Sequence, residues 1–147
     1  MYNEIKLEFD AISVNEAFAR VAVAAFVTPI NPTLEEVADV KTAVSEAVTN
    51  AVIHGYDGMQ GKVRMHCILE DGLLHIEVSD QGKGIANVEQ AMEPLFTTRP
   101  ELDRSGMGFS FMEAFMDSLE VESEPGAGTV VRMKKNFAVK QTQADGE

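Results

Sequence analysis

Four short groups of residues combine side chains or backbone features that could do chemistry. The first consists of Glu46, Asn50 and His54, which are spaced four residues apart. In a helix this spacing places all three on one stripe. A carboxylate beside a carboxamide suits a hard cation such as Mg²⁺. A solvated polar helix face is the simpler explanation of the same residues, so the triplet needs support from elsewhere in the chain.

The second group is Asp80, Gly82 and Gly84, which directly follows an alternating apolar segment. An acid followed by glycines is commonly an ordinary turn at the end of a strand. A carboxylate in that place could instead accept a hydrogen bond from an exocyclic amine, while glycines admit a flat ring against the backbone. Adenine carries such an amine, so this group could bind a purine base.

The third group could bind phosphate, and the fourth could face a ligand. The run Arg104-Ser105-Gly106-Met107-Gly108 directly precedes a predicted helix. A glycine turn at a helix N-terminus presents free amides to an anion, and an arginine fork matches phosphate. A flexible helix start and a solvated arginine are the alternatives. Thr129, after Gly128, is either a β-branched strand residue or a hydroxyl that faces a ligand.

Alternation of apolar and polar residues predicts the strands that carry these groups. It marks 5–9, 63–69 and 74–78, and the dipeptide Asp71-Gly72 predicts a tight turn between the last two. A final hairpin is predicted over 119–133, with its turn at 125–128. Strand pairs separated by helices indicate an α+β fold, a two-layer sandwich of a mostly antiparallel sheet with helices on one face.

Helical spacing of apolar residues predicts the first helix. Ser13 precedes it and forms a capping-box pattern with Glu16, three residues later. The stripe expected to be buried consists of Phe18, Val21, Ala22, Ala25 and Phe26. This helix carries none of the four groups, so its role is expected to lie in packing and in contacts with other molecules.

A second and longer helix is predicted after Thr33, which forms another capping box with Glu36. Its expected buried stripe is Leu34, Val37, Val40, Val44, Val48 and Val52. Gly55 is a natural stop for this helix. The small residues expected to let a ligand approach the backbone beside the polar stripe are Ala43, Ala47 and Ala51. A third helix is predicted over 108–117, and one helical turn near 88–92.

Composition bounds the class of protein. The chain has 147 residues and 45% hydrophobic content, enough for one core. We expect a single domain over 1–137 and a polar, frayed tail over 138–147. The formal net charge of −12 opposes binding to nucleic acid and favours basic protein partners. With no signal peptide, no membrane-spanning run and the single Cys67, the sequence predicts a cytoplasmic protein.

Taken in order, the four groups resemble the ATP-binding pattern of the GHKL superfamily. The pattern is Glu46-x-x-x-Asn50, then Asp80-x-Gly82-x-Gly84, then Gly106-x-Gly108 and Gly128-Thr129. The strings SEAVTNAVIHGY at 45–56 and PLFTTRPELDRSGMGF at 94–109 are similar to the bacterial anti-sigma serine kinases, most of all to the antagonists of sigma F in endospore-forming bacteria. The similarity covers almost the whole chain.

The resemblance implies a Bergerat-type sandwich that binds ATP or ADP with Mg²⁺ under a lid at about 86–105. It implies that Glu46 is the general base, that Asn50 is the Mg²⁺ ligand and that Arg104 neutralises charge on the γ-phosphoryl group. The residues implied to bind the nucleotide, besides Asn50 and Arg104, are His54, Gly55, Asp80, Gly82, Gly84, Ile85, Thr97, Thr98, Ser105, Gly106, Met107, Gly108 and Thr129.

The implied activity is that of a homodimer that holds a sigma factor inactive when ATP is bound. It would also phosphorylate a serine of an anti-anti-sigma protein. Arg20 on the first helix is a candidate partner contact, although an ion pair with Glu16 one turn earlier explains it equally well. Three alternatives stay open: a nucleotide-gated binding module without kinase activity, the catalytic fragment of a histidine kinase, and a structural protein that binds no nucleotide.

Overall fold

The computed structural model describes residues 1–85, 87–92 and 108–137. Within them the chain forms a five-stranded sheet, four α-helices, a 3-10 turn (Thr28–Ile30) and a π-helical segment (Asn50–Gly55). In chain order the strands and α-helices are β1 (Tyr2–Asp10), α1 (Asn15–Val27), α2 (Leu34–Thr49), β2 (Lys62–Glu70), β3 (Leu73–Asp80), α3 (Val88–Ala91), α4 (Gly108–Phe115), β4 (Ser118–Glu124) and β5 (Gly128–Asn136). The predicted order of elements is confirmed. The tail over 138–147 lies outside the described residues, as do 86 and 93–105 of the expected lid.

The sheet is antiparallel throughout, in the order β1-β2-β3-β5-β4. Two hairpins supply most of it. Asp71 and Gly72 have φ of +50° and +84° in the first turn, as a two-residue hairpin requires. In the second turn the Ala127 amide donates to the Glu124 carbonyl. Because β5 pairs with β3 as well as β4, the last hairpin closes against the middle of the sheet.

The helices pack on one face of this sheet, which confirms the predicted two-layer sandwich. Side chains on that face are buried in the central strands β2, β3 and β5, whereas in the edge strands β1 and β4 most of them are half-buried. The opposite face carries charged pairs, such as Lys62 Nζ with Asp10 Oδ1 at 2.6 Å and Arg64 Nε with Glu8 Oε2 at 3.0 Å. Exposed pairs of this kind add little stability. The core between sheet and helices holds the fold together.

The predicted buried stripe of α1 is wrong in part. The buried side chains are Ala19, Val23, Phe26 and Val27, whereas Phe18 is 54% and Val21 67% exposed and Ala25 is also exposed. Apolar residues occur on all sides of this helix, so periodicity alone selects no face. The face that carries Ala19, Val23 and Phe26 is the buried one on this helix, which packs against α2.

The capping box predicted at Ser13 is also wrong. The helix begins at Asn15, and no side chain caps it. Glu16 instead accepts a hydrogen bond from the Ser45 hydroxyl on α2, and its carboxylate lies 3.0 Å from Arg20 Nε. The Arg20 N–H is not aimed at that oxygen, so the contact is an ion pair rather than a hydrogen bond.

The capping box of α2 is confirmed. The Glu36 amide donates to Thr33 Oγ1 at 3.0 Å, and the Thr33 amide donates to Glu36 Oε1 at 2.8 Å. A cap of this kind stabilises a helix by about 1 kcal/mol. The valines 40, 44 and 48 are buried as expected. Leu34, at the start of the helix, is 91% exposed, so its predicted burial is wrong.

The small residues at 43, 47 and 51 are buried in the core. Ala43, Ala47 and Ala51 are each buried to 97% or more, in the hydrophobic core and on the helix that packs against both α1 and α4. Their small size allows close packing of neighbouring elements, and the approach of a ligand to the backbone beside the polar stripe stays a prediction. Among the described helices, none is long and apolar enough to cross a membrane.

Candidate functional site

A carboxylate and a carboxamide on α2 meet the first residue of α4. Glu46 and Asn50 lie one turn apart at the end of α2. A Cβ built on Gly108 would lie 3.2 Å from Asn50 Nδ2 and 3.2 Å from Glu46 Oε2. Only glycine leaves ordinary contact distances there. The structure therefore brings Gly108 next to Glu46 and Asn50, which lie far from it in the chain.

The Asn50 side chain carries an unusual feature. Its Nδ2 atom is buried and has no hydrogen-bond partner within the described part of the chain. A buried amide without a partner costs about 1–3 kcal/mol. The two ends of a carboxamide are assigned only from their hydrogen bonds, and a flip by 180° would place Oδ1 there instead. An oxygen in that position suits a hard cation.

The helix changes its winding at Asn50. From Asn50 to Gly55 the backbone forms a π-helical segment, closed by the Tyr56 amide on the Ala51 carbonyl at 3.1 Å. Such segments are rare and are common at functional sites. Residues four apart lie on nearly the same side of a π-helix as they do of an α-helix, so the place of His54 on the stripe of Glu46 and Asn50 stays a prediction. His54 is half-buried.

The far end of the π-helical segment faces the carboxylate of Asp80. Asp80 ends β3 and is 9% exposed. A Cβ on Gly55 would lie 2.9 Å from Asp80 Oδ1, and the Gly82 amide donates to that same oxygen at 2.9 Å. Burial raises the pKa of Asp80, and the backbone amides of Gly82 and Thr129 partly offset this. A buried carboxylate with unused acceptor capacity is suited to a ligand that donates.

The glycine turn after Asp80 packs directly on the π-helical segment. A Cβ on Gly82 would overlap the backbone carbonyl of Gly55, and that carbonyl accepts from the Lys83 amide at 2.8 Å. Gly84 has φ of +77° and lies against the carbonyl of Glu124. The glycines at 82 and 84 are thus required by close backbone approach and by a positive φ.

Thr129 lies beside Asp80 in the sheet. The two residues are directly paired between β5 and β3, and Thr129 is 7% exposed. Its hydroxyl lies 2.8 Å from Ser123 Oγ on β4, which also accepts from the Ile85 amide at 2.7 Å. Gly128, with φ of +93°, packs on the Asp80 carbonyl.

These two clusters lie at the two ends of the π-helical segment. The π-helical segment joins Asn50, beside Glu46 and Gly108, to Gly55, beside Asp80 and Gly82. One end offers an acceptor for a donating base, and the other offers a carboxylate and a carboxamide. The described residues contain no cluster of three His, Cys, Asp or Glu side chains that could hold a metal. A cation there would need oxygen ligands from a bound molecule and from water, which is the pattern that Mg²⁺ prefers.

Comparison with known proteins identifies the family. The family model of the histidine kinase-like ATPase domain matches residues 9–135. The anti-sigma F factor of Clostridium acetobutylicum is 59% identical over 137 residues, 93% of this chain and 96% of that protein. That of Geobacillus stearothermophilus is 56% identical over 143 residues, 97% of this chain and 98% of that protein. The chain belongs to the anti-sigma F factor family.

Solved structures with this fold agree with the architecture. Full-length ShkA in complex with AMPPNP superposes with a TM-score of 0.55 at 21% identity, over 69% of this chain and 22% of that one. The nucleotide-free catalytic domain of histidine kinase ThkA gives 0.53 at 16% identity, over 90% of this chain and 96% of that one. At these identities the likeness shows the histidine kinase-like fold alone.

Several residues expected at the site of this anti-sigma F family member lie outside the described residues. These are Thr97, Thr98, Arg104, Ser105, Gly106 and Met107. The helical turn expected near 88–92 is confirmed as α3, where Asn87 Oδ1 caps the turn by accepting from the Gln90 amide at 3.0 Å. Arg20 lies on α1 in its ion pair with Glu16.

The structure adds two residues that the sequence reasoning did not select. Tyr56 donates its hydroxyl proton to the Lys62 carbonyl at 2.5 Å and accepts from the Gln81 amide at 2.8 Å, so it braces the residue after Asp80. Ser123 bonds to Thr129 and Ile85. Tyr56 could have been suspected as a polar aromatic directly after Gly55, whereas nothing near Ser123 in sequence points to it.

Proposed function

We propose that this chain is an ATP-dependent serine protein kinase and anti-sigma factor. It binds and inhibits a sigma factor of the sigma F type and phosphorylates a serine of an anti-anti-sigma protein. The main support for the proposal is that Glu46 and Asn50 lie against Gly108. A Cβ added to Gly108 would be 3.2 Å from the side chain of each. This arrangement puts a potential base and a potential Mg²⁺ ligand beside the start of a helix in a chain of the anti-sigma F family.

The base of ATP or ADP occupies the Asp80 end of the site. The Asp80 carboxylate accepts a hydrogen bond from the adenine amine. Gly55, Gly82 and Gly84 let the flat ring approach the backbone. Thr129 lies next to Asp80 in the sheet and completes the wall. Ile85, His54, Thr97 and Thr98 belong to the same proposed nucleotide site by their place in the family pattern.

The phosphates occupy the end at α4. Amides of Ser105, Gly106, Met107 and Gly108 bind them at the start of that helix, where free N–H groups favour anions. Asn50 holds Mg²⁺ through Oδ1, which gives its unpartnered buried amide a function. Mg²⁺ neutralises charge on the phosphates when it is bound.

Glu46 orients the incoming serine hydroxyl and takes its proton. The serine oxygen forms a bond to the γ-phosphorus, the bond from that phosphorus to the bridging oxygen breaks, and ADP leaves. Arg104 neutralises charge that builds on the transferring group. Pure nucleotide binding would not need a carboxylate beside Asn50, so Glu46 favours a kinase over a nucleotide-gated binding module.

Partner binding is proposed for the exposed face of α1. Val14, Phe18 and Val21 are apolar and exposed, and surface patches of that kind mark contacts with other proteins. Arg20 on the same helix is a partner contact in this proposal. The net charge of −12 favours a basic partner surface. The working form is a cytoplasmic homodimer.

The test is transfer of radiolabelled γ-phosphate from Mg-ATP to the cognate anti-anti-sigma protein. Glu46→Gln should keep ATP affinity and lose transfer, since the amide fills the same space without accepting the proton. Glu120→Gln, an exposed carboxylate on β4, is the matched control and should transfer like wild type. Acid-stable phosphoserine supports the proposal. Wild-type protein that binds ATP without transferring it would be a nucleotide-gated binding module instead.

A further inference from the structure

Three side chains lie in a row across neighbouring strands next to the proposed base site. Ser123 on β4 pairs with Thr129 on β5, and Thr129 pairs with Asp80 on β3. Directly opposed residues of antiparallel strands have Cβ atoms about 4.5–5.5 Å apart on one face. The row therefore connects Ser123, at the sheet edge, through the buried Thr129 to the buried Asp80.

The hydroxyl of Ser123 has a hydrogen-bond partner for its proton and for both of its lone pairs. It lies 2.7 Å from the Ile85 amide, 2.9 Å from the Gly128 carbonyl and 2.8 Å from Thr129 Oγ1. A serine hydroxyl has one proton to donate and two lone pairs that accept. An amide can only donate and a carbonyl can only accept, so the Ser123 proton goes to Gly128.

This assignment fixes the direction of the remaining bond. Thr129 must donate its own proton to Ser123, because Ser123 has none left for it. Thr129 Oγ1 then has only lone pairs to offer to any other group. The wall formed by the Asp80 carboxylate and the Thr129 hydroxyl thus presents acceptors alone.

We propose that Ser123 is a positioning residue that determines base specificity by holding the proton of Thr129. The acceptor-only wall favours a purine with a 6-amino group over one with a 6-oxo group. An amino group donates to such a wall, whereas a carbonyl oxygen finds no donor and loses its hydrogen bonds to water on binding. This inference rests on the proposed nucleotide site and adds a residue outside the four sequence groups.

The test compares dissociation constants for ATP and inosine triphosphate by calorimetry. Wild type should prefer ATP. Ser123→Ala frees the Thr129 proton for the carbonyl of inosine, so the preference for ATP should fall about three- to tenfold, as expected for one neutral hydrogen bond. Ser123→Thr keeps the hydroxyl and should keep the preference. Ser123→Cys, a weak donor and acceptor of similar size, should shift the preference in the same direction as alanine if the alanine variant does not fold.

A double-mutant cycle isolates the role of Thr129. In a Thr129→Val background no proton exists to be freed, so adding Ser123→Ala should leave the ATP to inosine triphosphate ratio unchanged. Purine riboside triphosphate lacks the 6-substituent and the N1 proton of inosine. In Ser123→Ala, inosine triphosphate should gain affinity relative to it, because only inosine carries the 6-oxygen.

Two results would overturn the inference while leaving the kinase proposal intact. Equal loss of affinity for all three nucleotides in Ser123→Ala would mean that Ser123 only supports the structure through Ile85. If Ser123→Ala lowered the preference for ATP in the Thr129→Val background as much as it does in the wild-type background, the proton of Thr129 would play no part. If wild type binds no nucleotide at all, the proposed base site is wrong, and the proposed role of Ser123 in base specificity is wrong as well.

Discussion

Gly108→Ala should lower catalysis while the fold stays intact. The added Cβ would lie 3.2 Å from Asn50 Nδ2 and from Glu46 Oε2, so both side chains would have to move by a few tenths of an ångström. Alanine favours a helix over glycine by about 1 kcal/mol, which offsets part of the strain. The free energy of unfolding should therefore stay within about 1 kcal/mol of wild type.

The cost should appear in the rate of phosphoryl transfer. A misplacement of about 1 Å in a catalytic site can cost about a hundredfold in rate. A shift of a few tenths of an ångström in both the base and the Mg²⁺ ligand should therefore cost about tenfold. Single-turnover transfer of γ-phosphate to the anti-anti-sigma protein measures this rate, with ATP affinity and thermal unfolding determined on the same preparations.

Ala114→Gly is the matched control. Ala114 is exposed on α4, so the substitution lowers the stability of that helix by about 1 kcal/mol and touches no site residue. It should lower thermal stability and leave the transfer rate unchanged. If Gly108→Ala transferred phosphate at the wild-type rate, the contact of Glu46 and Asn50 with the start of α4 would have no part in catalysis.

Three further predictions concern the base end of the site. Gly55→Ala places a Cβ 2.9 Å from Asp80 Oδ1 and should weaken ATP at least about tenfold; calorimetry that shows unchanged affinity would refute the role of that carboxylate. Burial raises the pKa of Asp80, so its stabilising contribution is complete below the unfolded pKa and is lost as pH rises through the folded pKa. Asp80→Asn cannot ionise, so its stability relative to wild type in urea unfolding should grow as pH rises from about 3 to 7; a constant difference would contradict this. Tyr56→Phe removes the hydroxyl that bonds to the Gln81 amide and the Lys62 carbonyl. It should lower the free energy of unfolding by about 1–3 kcal/mol and also lower ATP affinity. Unaltered urea unfolding would show that these two hydrogen bonds do not stabilise the fold.

Much of the fold followed from local pattern. Alternation identified the strands because one face of the sheet is buried and the other charged. The α2 capping box was predictable because Thr33 and Glu36 satisfy each other without help from elsewhere. The Asp71-Gly72 turn needs only the positive φ of two adjacent residues.

The wrong predictions for α1 depend on contacts with α2, which is far away in sequence. Glu16 does not complete a capping box because Ser45 and Arg20 compete for its carboxylate. Phe18 and Val21 were expected in the core, but contact with α2 selected another face of an all-round apolar helix. Local spacing holds no information about either choice.

The same reason explains what the site reasoning missed. Ser123 matters only because the register places it opposite Thr129, which lies opposite Asp80 in turn. That register depends on β5 pairing with β3, across a long separation in sequence. The change to π-helical winding at Asn50 also has no clear sequence signal.

The most direct test of the central claim is an experimental structure of this chain with Mg²⁺ and a non-hydrolysable ATP analogue. We predict Asn50 Oδ1 on the metal at about 2.1 Å, Asp80 within hydrogen-bond distance of the adenine amine, and Glu46 beside the γ-phosphate. A nucleotide bound away from Asp80, or a γ-phosphate out of reach of Glu46, would contradict the proposed kinase site.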